Sequence, residues 1–172
     1  MSSFQKIAMG LILVGSLSTA GSFAQVGAGY SKGDNDTDNG TAFIGLDVLG
    51  NIGLRLEYSK NFSEHPEFSK EDISRYGLFA TYTLPLTSAF SVTPKVGLTK
   101  TDGEFEFSDT VKTISDSSTN FTYGLEVNYH YNDLISLFVG YTDYGNKFDN
   151  IGSVKSSELD SKNYTFGIKL DI

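Results

Sequence analysis

The last ten residues, Asn163-Tyr164-Thr165-Phe166-Gly167-Ile168-Lys169-Leu170-Asp171-Ile172, set a large apolar side chain at every second position and a polar residue or glycine between. A period of two marks a strand, whose successive side chains leave on opposite faces, and excludes a helix. One face of this strand (Tyr164, Phe166, Ile168, Leu170, Ile172) is wholly apolar and has to be covered by a protein core or by lipid. The same alternation recurs along the chain, so the choice between those two covers decides the fold.

The chain has 172 residues, 39% hydrophobic and 13% aromatic, with 18 glycines, 3 prolines and no cysteine. That composition suits one strand-rich domain. The body holds no run of about 18 apolar residues, so no helix of it spans a bilayer, whereas a membrane strand needs only about 9 to 11 alternating residues. At the start, Lys6 precedes the apolar run Ile7 to Leu17, and Ser22-Phe23-Ala24 supplies the small residues of a cleavage site. Residues 1–24 are therefore expected to be a cleaved secretory signal peptide and residues 25–172 a single β-domain. No disulfide can reinforce such an exported domain, but closing its sheet into a barrel can. The net charge of -8, without a basic stripe, excludes nucleic acid as a partner.

Eight strands are expected. The first runs over Gln25 to Lys32, the second over Thr41 to Leu49, and the third over Ile52 to Tyr58. Tyr76 to Leu84 form the fourth and Ala89 to Thr99 the fifth, with a bulge at Pro94, which has no amide to donate. Phe121 to Tyr131, Ile135 to Tyr141 and the terminal segment complete the set. Short turns (Gly50-Asn51, Pro85 to Ser88, Asn132-Asp133) alternate with long polar loops (Gly33 to Gly40, Ser59 to Ser74, Lys100 to Thr119, Asp143 to Ser161).

Alternation alone does not say which face is outside; the second face does. It carries Gly27, Gly29, Gly53, Gly77, Gly97, Gly124 and Gly167 beside threonines, Asn128, Arg55, Glu57, Lys95 and Glu126, which suits a narrow interior better than a solvated surface. With the long loops at one end, Tyr30, Tyr58, Tyr76, Tyr123, Tyr141 and Tyr164 all fall on the apolar face near that end, as a ring of interfacial aromatics would. The acidic surplus lies in the four long loops, while Arg55, Arg75, Lys95, Lys162 and Lys169 balance Asp47, Glu57, Glu126, Asp133 and Asp171 in the strands and short turns. Unpaired charge would be costly in a narrow interior of low dielectric, so that balance is physically meaningful there. Arg55, Glu57, Lys95 and Glu126 are the candidate interior polar network, filling an eight-stranded lumen too narrow to conduct.

Val26-Gly27-Ala28-Gly29-Tyr30, Leu54-Arg55-Leu56-Glu57-Tyr58, Pro94-Lys95-Val96-Gly97-Leu98 and the closing Tyr164-Thr165-Phe166-Gly167 resemble the small outer-membrane barrels of the OmpA/OmpX type in Gram-negative bacteria. The likeness covers residues 25–172. It implies an all-β, eight-stranded antiparallel up-and-down transmembrane β-barrel, located in the cell outer membrane. It also implies contact with outer-membrane lipid and lipopolysaccharide, and recognition of the C-terminal strand by the assembly machinery. Family members typically end that strand in an aromatic residue, and Ile172 takes its place here.

The expected role is structural, adhesive or surface-interacting: a monomer that displays four acidic loops to host or surface ligands, without a catalytic site, cofactor or metal. Other readings fit the residues less well. A lipid A-modifying enzyme of similar build needs a histidine set against a serine and an acid, and neither His65, near Ser63, Ser69 and Asp72, nor His130 stands in a spacing that fixes one. Asp34, Asp36 and Asp38 match only the opening of a calcium loop, because Asn39 and Gly45 hold the places of its glycine and its bidentate glutamate. A small diffusion channel would need a wider lumen, and a soluble lipocalin-like carrier would have to expose the glycine-rich face. The chain is thus expected to fractionate with outer membranes and to migrate differently on gels when unheated, as closed barrels do; recovery from the soluble periplasm without detergent would contradict this reading.

Overall fold

The computed structural model describes residues 24–33, 37–62, 70–106, 113–145 and 162–172. Their strands are β1 (Ala24–Gly33), β2 (Asp38–Leu49), β3 (Ile52–Asn61), β4 (Lys70–Tyr82), β5 (Phe90–Glu106), β6 (Thr113–His130), β7 (Ile135–Asp143) and β8 (Lys162–Asp171). Each pairs antiparallel with its sequence neighbour. The β4–β5 ladder runs from Lys70↔Glu106 to Thr81↔Lys95, and one further pairing, β1 with β8 from Gln25↔Asp171 to Gly33↔Asn163, makes a ring. The result is a closed, all-β, eight-stranded antiparallel barrel with up-and-down order.

The short turns form from local chemistry. Gly50 takes φ +56, a left-handed conformation that glycine adopts without steric cost, and the register slips by one residue between Asp47 and Leu49 beside it. At the next turn the Thr87 hydroxyl accepts from the amides of Ala89 (3.2 Å) and Phe90 (3.0 Å). At the third, Asn132 Oδ1 accepts from Leu134 (2.9 Å) and Ile135 (2.7 Å). Both are side-chain mimics of a backbone turn.

No bulge stands at Pro94, which pairs in register with Leu125 of β6. The missing amide is instead absorbed on the other side, where the β4–β5 ladder lapses after Thr81↔Lys95 and resumes in the same register with the two-residue extension Leu84–Pro85. Across that lapse the Thr83 amide turns to the Asn51 carbonyl at 2.8 Å. A second difference concerns the third long loop, Lys100 to Thr119, most of which is hairpin: β5 and β6 stay paired out to Glu106↔Thr113. Above the membrane both faces of a hairpin are wet, so its strands need no apolar alternation, and that alternation was the signal used to find strands. The N-terminal segment 1–23 lies outside the described residues; Ala24 exchanges backbone hydrogen bonds with Ile172 at 3.2 and 2.8 Å.

Burial alternates with the sequence pattern. Leu54, Leu56, Leu78, Val96, Leu98, Phe121, Val139, Phe166 and Ile168 are exposed, while Arg55, Ser59, Phe79, Thr99, Thr122 and Asn128 between them are buried. The buried phase therefore carries the polar groups and the exposed phase the apolar ones, the inverse of a water-soluble barrel. Tyr30, Tyr76, Tyr123 and Tyr164 are exposed near the long-loop end, where Tyr58–Tyr76 and Tyr141–Tyr164 stack with centroids 5.1 and 5.4 Å apart. Phe90 and Tyr129 pair at the short-turn end at 5.2 Å. Ile168, paired with Ala28 on one side and Leu137 on the other, sits at the seam on the lipid-facing side. Ile168→Asp is expected to cost about 2 to 3 kcal/mol and to abolish insertion; heat-modifiable migration of that variant at the parent level would contradict the assignment of faces.

Candidate functional site: the barrel interior

Between the short turns and the tyrosine level, the inward phase of the described strands carries Arg55, Arg75, Lys95 and Lys169 against Asp47, Glu57, Glu126 and Asp171. The interior is thus charge-neutral by composition. Pairing makes it neutral locally as well. Arg55 of β3 forms a two-pronged ion pair with Glu126 of β6, with Nη2 donating to Oε1 at 3.2 Å and Nη1 to Oε2. Lys95 of β5 donates to Glu57 of β3 at 2.6 Å. Both pairs reach across the lumen, because β4 alone separates β3 from β5 and two strands separate β3 from β6. All four side chains are at most 4% exposed. A buried ion pair is tolerable only when such geometry offsets the desolvation of both partners.

Around the pairs, hydroxyls and amides run circumferentially. Ser31 bonds Thr165 at 2.8 Å and Thr41 at 2.9 Å, and Thr41 donates to Ser59 at 3.3 Å, so one chain of hydroxyls crosses the β8–β1 seam and continues to β3. On the far wall Thr122 donates to Thr99 (2.9 Å), and Asn128 donates to Thr93 (3.1 Å) while accepting from Lys169 (2.9 Å).

Sequence reasoning did not find the aromatic part of the interior. Phe43 and Phe138 stand in the polar phase with Phe79, all three buried, and their rings meet edge-on or face the cations: Phe43 and Phe138 are 5.6 Å apart, Arg55 lies 4.0 Å from the Phe43 centroid and Lys95 4.8 Å from that of Phe79. The cross-strand partner of each is a glycine: Gly27 for Phe43, Gly97 for Phe79 and Gly167 for Phe138. A Cβ on Gly27 would collide with the edge of the Phe43 ring, and one on Gly167 would lie 2.8 Å from Phe138. Gly27 and Gly167 therefore leave room for the Phe43 and Phe138 rings, and Gly77 of the same strand for that of Phe79; a large aromatic in the polar phase was the signal available in the sequence. Tyr144, assigned to the fourth loop from the sequence, is also inside. Its hydroxyl donates to Glu57 Oε1 at 3.2 Å, and its ring lies 5.0 Å from the Arg75 guanidinium.

The structure brings Arg55, Glu57, Lys95 and Glu126 into one cluster, joined by Phe43, Phe79 and Tyr144. A void of about 10 Å³ is lined by Thr41, Phe43, Glu57, Lys95, Glu126 and Phe138 among others, room for about one water. His130 lies apart, at the short-turn rim, and His65, Ser63, Ser69, Asp34 and Asp36 fall outside the described residues. Among the described residues no cluster of histidine and carboxylate groups could hold a metal ion.

A closed ring with an apolar exterior and a neutral, charge-filled interior defines a small membrane-spanning barrel. The chain belongs to the outer membrane protein beta-barrel domain family, whose model matches residues 8–171. Solved structures share the fold at low identity. The N-terminal barrel domain of Pseudomonas aeruginosa OprF is 13% identical, with a TM-score of 0.66 over 86% of this chain and 95% of its own. Neisserial surface protein A is 15% identical, with a TM-score of 0.62 over 87% and 96%. Ail, the attachment invasion locus protein of Yersinia pestis, is 14% identical, with a TM-score of 0.56 over 86% and 96%. A de novo designed transmembrane barrel has a TM-score of 0.59. No curated protein matches the sequence.

Truncating one member of the central pair leaves a buried cation: Glu126→Ala is expected to lower stability by about 3 kcal/mol, less if Glu57 turns to Arg55, whereas the double replacement Arg55→Met with Glu126→Leu is expected to lose less than the single. Urea unfolding of refolded protein measures both, and a Glu126→Ala barrel as stable as its parent would contradict the pairing.

Proposed function

We propose that the protein is a plugged, non-enzymatic outer-membrane barrel, a monomeric platform that holds four acidic loops at the cell surface and acts through what those loops bind. The observation that carries this reading is the filled lumen. Two ion pairs cross it, three phenylalanines and Tyr144 occupy the space beside them, and the void among them is about 10 Å³, which favours anchoring over conduction. The connections after β1, β3, β5 and β7 all leave from one end.

An outward belt of lysines supports contact with lipopolysaccharide at that end. Lys32, Lys60 and Lys162 each stand two residues beyond Tyr30, Tyr58 and Tyr164 on the same face, and Lys100 pairs in register with Tyr76. Tyrosines mark the interface, so these cations reach the level of lipid phosphates. The exposed apolar row of β8 offers the assembly machinery its recognition strand. Ail has been solved with the heparin analogue sucrose octasulfate; the net negative loops here favour a cationic partner over such a polyanion. Against lipid A chemistry stands the position of His130, which lies at the end of the barrel opposite the loops.

Planar-bilayer recording of purified protein beside a deletion strain tests the proposal. The expected result is no sustained channel current, with loss of surface binding or envelope integrity in the mutant and unchanged lipid A composition. Large, steady single-channel currents would promote a small diffusion channel, and altered lipid A would promote an enzyme.

A further inference from the structure

The short-turn rim holds a polar cluster separate from the central ion pairs, drawn from four consecutive strands: Ser91 of β5, His130 of β6, Ser136 of β7 and Asp171 of β8. His130 lies between two hydroxyls, with Nε2 2.9 Å from Ser91 Oγ and Nδ1 2.9 Å from Ser136 Oγ. Ser136 Oγ is 3.1 Å from Asp171 Oδ2. Ser91 and Ser136 are almost fully buried, at 1% and 0% exposure. Both hydroxyls are spent on hydrogen bonds within the wall, which suits a structural use.

The chemistry of the four groups orients every proton in it. An ionised carboxylate only accepts, so Ser136 commits its single proton to Asp171. The oxygen of Ser136 can then only accept from the ring, which places a proton on Nδ1 of His130. In the neutral imidazole Nε2 is therefore the acceptor, and Ser91 donates to it. The Lys169 ammonium donates to Asn128 Oδ1 at 2.9 Å and, being a donor only, leaves Asp171 an acceptor.

We propose that His130 is the keystone of an oriented relay, Ser91 to His130 to Ser136 to Asp171, that fastens the C-terminal strand to the three strands before it at the short-turn rim. The place matters because β8 closes the ring. Beside the relay, the Asp171 amide donates to the Leu134 carbonyl at 2.9 Å and the Ile172 amide to the Ala24 carbonyl at 2.8 Å, so this corner joins the turn before β7, β8 and the start of β1. Backbone bonds at a strand end fray readily; a half-buried side-chain chain that is satisfied at each link holds such an end in register. His130 is thus a positioning residue whose ring works in one tautomer only.

The test is the tautomer itself, read from ¹⁵N shifts of the imidazole in full-length protein refolded in detergent micelles. A His65→Gln background leaves His130 as the one histidine observed. At neutral pH the expected result is a protonated Nδ1 and a bare Nε2. Ser91→Ala is expected to keep that state, whereas Ser136→Ala is expected to move the proton toward Nε2 and to speed amide exchange at Asp171 and Ile172 by about tenfold or more. A wild-type ring protonated on Nε2, or averaged between the two tautomers, would overturn the proposal without need of any variant. So would a Ser136→Ala protein with both the tautomer and the exchange rates of its parent.

Discussion

The hydrogen-bonded seam between β1 and β8 is the contact on which the rest of the structure depends. In lipid no water can satisfy a free backbone amide or carbonyl, so a sheet that spans a membrane has to close on itself. Nine residue pairs from Gln25↔Asp171 to Gly33↔Asn163 do so here, reinforced by the Ala24–Ile172 backbone pair and by the Ser31–Thr165 hydroxyl bond inside. Once the ring is closed, each strand has an inside and an outside, and a period of two forces one phase to each.

Closure with only eight strands then dictates the chemistry of the interior. The lumen is just wide enough for side chains, so it cannot solvate ions as bulk water does. Charges there have to bring their counter-charges with them, and Arg55 with Glu126 and Lys95 with Glu57 do so directly across the space. The phenylalanines occupy what the ions leave, each packed on a glycine, Phe43 and Phe138 on one of the adjacent strand and Phe79 on Gly77 of its own. A lumen filled in this way explains why the acidic surplus of the chain is confined to the loops.

Much of this was legible in the sequence because the governing period is so simple. The apolar row of the terminal strand, the tyrosine level and the balanced strand charges all follow from reading alternate positions. Other elements were not legible, for identifiable reasons. The outer part of the β5–β6 hairpin has no apolar face, since both sides meet water, so Lys100 to Glu106 read as loop. Pro94 implied a bulge because the amide it lacks has to be absorbed somewhere; the β4 ladder lapses beside it instead. Phe43 and Phe138 were passed over because an aromatic in the polar phase breaks the alternation, and its glycine partner becomes visible only once register is known. Tyr144 follows the inward phase of β7 beyond the point where apolar alternation stops.

The most direct test of the closed ring is a set of amide-to-amide nuclear Overhauser effects across the seam, measured in lipid nanodiscs together with amide exchange. The account predicts contacts at Ala28–Ile168 and Tyr30–Phe166, the pairs whose amides face each other across the seam, with amides of β1 and β8 protected as well as those of β3 and β6. Absent seam contacts, with β1 and β8 exchanging as fast as the loops, would contradict it.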